Sequence, residues 1–181
     1  FFVVGELLET NPEIFDKIIG NEHEIAFHTM NHTRIDSQNF IENFPSEIEK
    51  FSSLTSNKSK GFRAPTFSLN KTSSWIIDFL AVSGYAYDSS VVPAKTDFYG
   101  MPDAQSKPYR ISSNSLGEDD PDGKLIEFPL LVTKFLGKKI PAAGGFYLRS
   151  LPIKIIENAI KSYEKQGIPA SFYIHSWELT P

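Results

Sequence analysis

Short apolar runs alternate with stretches of helical spacing along the whole chain, and this alternation most narrows the folds open to it. Residues 1–4, Phe1-Phe2-Val3-Val4, read as a buried parallel strand. Residues 6–19 follow with apolar positions at Leu7, Leu8, Ile14, Phe15, Ile18 and Ile19, and Pro12 predicts a break and a fresh helix start. Gly20-Asn21 ends that helix, and the alternation of His23, Ile25 and Phe27 with polar residues predicts a strand running into His28. Strand, helix, strand is the unit of a parallel sheet or barrel. The pattern continues with a helix over 37–54, kinked or restarted at Pro45, and a polar loop over 52–60. A short strand at 61–63, a helix over 72–82 and a strand at 85–87 come next. After an irregular surface loop over 92–123, a strand is predicted at 125–128 and a helix at 151–166. Ser150 would cap that helix, with Pro152 in its first turn. A final strand at 170–174 delivers His175. The fold class is therefore α/β with a mainly parallel sheet.

Composition removes several classes of function. At 181 residues the chain is one domain in size and can bury a substantial core. Its net charge of −4 gives no electrostatic reason to expect nucleic acid or an anionic membrane as partner. There is no cysteine, so disulfides and thiolate metal sites are excluded and any metal must sit on nitrogen and oxygen. No apolar stretch approaches the roughly 20 residues that span a bilayer. The opening Phe1-Phe2-Val3-Val4-Gly5 has no initiator Met and resembles a strand from the middle of a fold. We read the chain as a fragment whose upstream strand is missing, which would leave residues 1–4 unpaired on one side and prone to aggregate.

In α/β folds, reactive residues gather where strands end and loops begin. His28, Arg63, Asp88 and His175 each fall at such a place. His28 and His32, four apart on a helical turn, would lie on one face and could share a divalent ion such as zinc, cobalt or nickel. Two ligands are too few for tight binding, so a third, a carboxylate by type, is expected from elsewhere. The other reading of the pair is a polar loop that happens to hold two imidazoles. Arg63, fixed by the Ala64-Pro65 that follows, could hold a carboxylate through two parallel hydrogen bonds, or be a surface arginine before a turn. His175 could donate a proton to a departing amine, or satisfy a loop carbonyl. Asp88 could stabilise the imidazolium or line the cleft, and could equally be an ordinary turn aspartate.

His28-Thr29-Met30-Asn31-His32 resembles the H-[ST]-x-x-H motif of the NodB-homology polysaccharide deacetylases, carbohydrate esterase family four. Arg63-Ala64-Pro65 is similar to that family's R-x-P motif, and His175 occupies the place of its late histidine. Tyr87-Asp88-Ser89-Ser90, the segment from Gly144 to Pro152, and His175-Ser176-Trp177-Glu178 resemble the branch associated with exosortase and extracellular polysaccharide loci. The resemblance implies a distorted (β/α) barrel lacking its first strand, a single domain over 1–181 incomplete at its N-terminus, and one divalent metal ion. It implies His28 and His32 as metal ligands, Arg63 as the residue positioning a base, His175 as general acid and Asp88 as a further catalytic residue. Tyr87, Arg149 and Trp177 would touch substrate, although Trp177 also reads as a packed aromatic. In the family an Asp pair on the first strand supplies the base and third ligand; no aspartate of this chain stands in an equivalent context. The implied activity is removal of N-acetyl groups from a polysaccharide, with the fragment itself inactive or nearly so. The alternatives are an allantoinase-like hydrolase of a non-peptide amide and a catalytically dead carbohydrate-binding module. The resemblance leaves the compartment open between bacterial cytoplasm and cell envelope.

Overall fold

A computed structural model describes residues 1–38 and 40–179. Six short strands form one sheet in the order β1-β2-β3-β4-β6-β5. They are β1 (Phe2–Val3), β2 (Ala26–Phe27), β3 (Gly61–Phe62), β4 (Tyr87–Asp88), β5 (Tyr109–Ile111) and β6 (Leu125–Glu127). All neighbours pair in parallel except β5, which lies antiparallel to β6. The sheet is open among the described residues, with β1 at one edge and β5 at the other.

The connections are helical, as the periodicity demands. α1 (Gly5–Thr10) and α2 (Glu13–Gly20) are separate helices, broken at Asn11 and Pro12. α3 (Phe40–Leu54) runs through Pro45, and Phe40, Phe44, Ile48 and Phe51 form its buried stripe. α4 (Trp75–Val82) buries Ile76, Ile77 and Leu80. Phe27 of β2 packs on Phe44 and Phe51 of α3 and on Phe62 of β3, with ring centroids 6.1, 4.5 and 5.7 Å apart. Deleting a ring from such a cluster typically costs about 3–5 kcal/mol.

A second hydrophobic cluster sits beyond β6, around Leu130, Leu131, Ala142, Ala159 and Tyr163. It is bounded by an antiparallel hairpin, β7 (Val132–Phe135) with β8 (Lys138–Pro141), and by α5 (Gly145–Ser150) and α6 (Ile153–Lys165).

Four local expectations change. The irregular stretch 92–123 contains β5, whose three residues alternate into the core and pair with β6. The hairpin β7–β8 has little apolar alternation and was not foreseen; half of its residues are lysine, proline or threonine. Ser150 closes α5 instead of capping α6, which starts after Pro152 with no side-chain cap. Residues 170–174 form no strand. They run beside β6's continuation through one parallel bridge, Leu130 to Ser171, with the Leu131 N–H donating to the Ser171 carbonyl at 3.0 Å.

Strand alternation decides what reaches the site. Phe27, Phe62, Asp88 and Glu127 are successive register partners across four strands, so they share the face covered by helices. His28, Arg63 and Ser89 each come one residue later and turn to the opposite face. Their N–H groups donate to the carbonyls of Val3, Phe27 and Phe62, which sets them side by side at the C-terminal ends of the parallel strands.

Candidate active site

The loop from His28 to His32 is not a helical turn. Thr29 and His32 both adopt positive φ, +59° and +56°, which is costly for a residue bearing a Cβ and most of all for β-branched Thr29. The loop is held by its neighbours. The N–H groups of Gly5 and Glu6 donate to the carbonyls of Thr29 and Met30 at 3.0 and 2.9 Å. The Met30 N–H donates to the Glu47 carboxylate at 2.9 Å. A Cβ on Gly5 would lie 2.2 Å from the Met30 sulfur, so a larger residue there would have to displace the Met30 side chain. The Thr29 hydroxyl is buried with no hydrogen-bond partner among the described residues.

This constrained loop brings the His28 and His32 rings to 4.9 Å between centroids, 70° apart in plane. His28 Nδ1 lies 2.6 Å from the Arg63 carbonyl oxygen. A carbonyl only accepts, so Nδ1 carries the proton and the lone pair is on Nε2. Burial pulls His28 down to about 4, and burial followed by the charge of His175 also lowers His32. Both imidazoles are thus neutral near pH 7, the form that ligates a metal, and the His28–carbonyl bond is the outer support such ligands ordinarily have. The donor pair fits a divalent ion. Among the described residues, no group of three His, Cys, Asp or Glu side chains is arranged to hold one.

Arg63 is 8 % exposed, which rules out the alternative of a surface arginine. Its Nε donates to the Ser89 carbonyl at 2.8 Å and its Nη2 to the Ser89 hydroxyl at 2.6 Å. The guanidinium lies 4.1 Å over the Phe2 ring. Burial lowers its pKa to about 10, opposed by the charges of Glu127 and Asp88. The parallel pair of hydrogen bonds to a carboxylate is not made here; both bonds go to Ser89.

Asp88 faces away from this cluster, into the core. Its Oδ1 accepts from the Ser90 hydroxyl at 2.6 Å, and burial raises its pKa. It makes no bond with His175. Tyr87, on the open face, donates to Glu24 Oε1 at 2.9 Å and sits on Gly61, toward the start of β2.

His175 reaches the His28–His32 end from the far end of the chain, near enough for its charge to lower both imidazoles. Tyr173, two residues earlier, packs its ring 5.2 Å from Phe67, which itself lies 5.7 Å from the Arg63 guanidinium. Arg149 and Trp177 flank His175. Trp177 stacks on its ring at 4.0 Å and 13°, and Arg149 forms an ion pair with Glu178 at 2.7 Å. The structure therefore gathers His28, His32, Arg63, His175, Arg149 and Trp177 at one end of the sheet, and leaves Asp88 and Tyr87 outside.

Two carboxylates escaped the sequence reading. Glu178 lies three residues after His175, an (i, i+3) signal that was legible. Glu127 had only a weak signal, an acid inside the apolar run Leu125 to Phe128. A cavity of about 460 Å³ opens next to the cluster, bordered by Arg34, Asp36, Phe67, Phe98 and Tyr99. A second hollow, beside α4, is lined by none of the predicted site residues.

An α/β sheet with a histidine pair and a buried arginine at its strand ends, and a late histidine beside them, is the layout that the motifs' resemblance to NodB-type deacetylases implies. Residues 1–84 match the family model "Polysaccharide deacetylase", and residues 89–181 match "Domain of unknown function (DUF3473)". The chain belongs to the family of the second model, which spans more than half of it, and its N-terminal part is similar to polysaccharide deacetylases.

Among solved structures, it is similar to a putative polysaccharide deacetylase from Mycobacterium smegmatis. The two share 22 % identity over 97 % of this chain and 57 % of that one, with a TM-score of 0.62. It also resembles Puue allantoinase, at 15 % identity over 96 % of this chain and 51 % of that one, TM-score 0.55. A probable polysaccharide deacetylase from Pseudomonas aeruginosa PAO1 matches at 16 % identity over 96 % and 52 %, TM-score 0.53. These likenesses establish the shared fold, and the chain spans little more than half the length of each. No curated protein matches it.

Proposed function

We propose that the protein carrying this chain is a metal-dependent deacetylase that removes N-acetyl groups from the sugars of a polysaccharide. The observation that carries the reading is the meeting of the His28–His32 pair with a histidine from the far end of the sequence, the pair held neutral and His28's donor nitrogen set by the Arg63 carbonyl. His28 and His32 would hold one divalent ion, zinc by ligand type, with cobalt or nickel as alternatives. What such an ion supplies is Lewis acidity toward the amide carbonyl and a bound water of lowered pKa.

The chain's own residues do the rest. Arg63 and Ser89 stiffen the floor beneath His28. His175, whose side chain is 40 % exposed, gives the departing amine its proton. The neighbouring cavity, with an arginine and two exposed or half-exposed aromatics, offers room for an adjoining sugar ring.

A third ligand and a base for the attacking water are not supplied by any described cluster. We infer that an acidic group from outside these residues completes the site, and that the 181 residues alone turn over little or nothing. The test is acetate release from chitin oligomers and from a bacterial exopolysaccharide by the encoded protein, with and without zinc. Metal-dependent release is expected. Failure on every acetylated polymer, with turnover of allantoin instead, would replace this reading with the cyclic-amide one.

A further inference from the structure

We propose that Glu178 is the positioning residue for His175, and that Arg149 holds Glu178 in place for that task. The inference rests on the deacetylase reading for what His175 does, and on geometry alone for how His175 is held. Glu178 Oε2 accepts two hydrogen bonds from His175, from its main-chain N–H at 2.8 Å and from ring Nδ1 at 3.0 Å. Its other oxygen, Oε1, accepts from Arg149 Nη1 at 2.7 Å. The Glu178 side chain is only 7 % exposed, while that of His175 is 40 % exposed. The indole of Trp177 lies flat on the imidazole and blocks one of its faces.

A carboxylate accepts and never donates, so this bond keeps the proton on Nδ1 and leaves Nε2 as the atom free to react. The bonds from His175, first from its backbone and then from its ring, hold Glu178 below the usual carboxylate range, and Arg149 adds to this. Glu178 therefore stays ionised and balances an imidazolium. When the amide C–N bond breaks, the Nε2 proton passes to the departing nitrogen and His175 is left neutral with its proton on Nδ1. The proton taken from the attacking water restores it, so one water is consumed for each acetate and amine formed.

The glycine pair explains why Arg149 arrives where it does. Gly144 and Gly145 open α5 at φ +75° and +52°. A Cβ on Gly144 would lie 2.2 Å from the Tyr173 carbonyl oxygen, and one on Gly145 would lie 2.3 Å from the Tyr173 hydroxyl. Without side chains at both positions, α5 closes onto the segment leading to His175 and brings Arg149 to Glu178. The position that Asp88 was expected to fill is thus taken by a residue three places along from the histidine.

The experiment reads the tautomer of His175 by two-bond proton–nitrogen NMR on histidine-labelled protein, beside steady-state kinetics, for wild type, E178A and R149A. Wild type is expected to show protonated Nδ1 in the neutral ring. E178A should revert to the Nε2–H form favoured by free imidazole and lose about 10²-fold in kcat with little change in KM. R149A, changed at a side chain 59 % exposed, should fold normally and show a smaller loss of both signals. An unchanged tautomer, or an unchanged kcat, in folded E178A overturns the proposal. If E178A does not fold, an unchanged tautomer in R149A does so. If wild type releases no acetate from any polymer, the deacetylase reading fails, while the tautomer result still decides what Glu178 does.

Discussion

Asp88 and Glu127 stand opposite each other in register on β4 and β6, each with one carboxyl oxygen bonded and the other buried without a donor among the described residues. Asp88 Oδ1 takes the Ser90 hydroxyl, and Glu127 Oε1 takes the Val91 N–H at 2.9 Å. One proton shared between the two remaining oxygens satisfies both, and leaves the pair with a single negative charge whose attraction is felt at buried Arg63. Burial raises the pKa of both acids, and for Glu127 the charge of Asp88 adds to it.

The sign of the pH effect follows from that proton. Above the ordinary glutamate value of 4.5, the folded chain holds a proton that the unfolded chain has lost. Stability from this source is full below that pH and declines as pH rises toward the folded pKa. Urea midpoints measured from pH 4.5 to 8.5 should fall for wild type. In E127Q, whose amide donates to Asp88 and whose oxygen still takes the Val91 N–H, that part of the slope should vanish.

Arg63→Ala leaves the Ser89 carbonyl and the acid pair without their cation. The expected loss is about 3 kcal/mol, read as a fall in melting temperature of roughly 6–12 °C for a chain of this size. Arg63→Lys keeps the charge but cannot reach both Ser89 oxygens with one planar fork, so it should recover only part of that loss.

Gly61→Ala tests the open face of the sheet. Its new methyl would fall 2.1 Å from the Tyr87 ring, displacing the ring and its bond to Glu24. Overpacking of this kind costs about 1–3 kcal/mol, and a lowered urea midpoint would report it.

His28→Ala and His32→Ala each remove half of the donor pair. Zinc affinity measured by calorimetry should drop in either variant by more than the ~10–100-fold typical of losing an outer-shell partner. Wild-type chain of these residues should itself bind zinc more weakly than a site with three protein ligands. Equal binding in wild type and H28A would place the ion elsewhere.

The residues of the chain determined its fold class, and they named the candidates for its site. Apolar runs alternating with helical stripes call for a parallel sheet wrapped by helices, because each element must bury one side. The strand-end positions of His28 and Arg63 follow from where those runs stop. Tertiary structure alone decided the rest. Alternation along β4 turned Asp88 into the core and set it against Glu127, a pairing that needs the register of two strands far apart in sequence. Residues 170–174 are as apolar as a strand, yet they meet only one bridge partner, since strand identity depends on a neighbour to bond with. Glu178 was three residues from His175 all along; that it bonds the ring, with Arg149 behind it, depends on how closely two glycines let a helix approach.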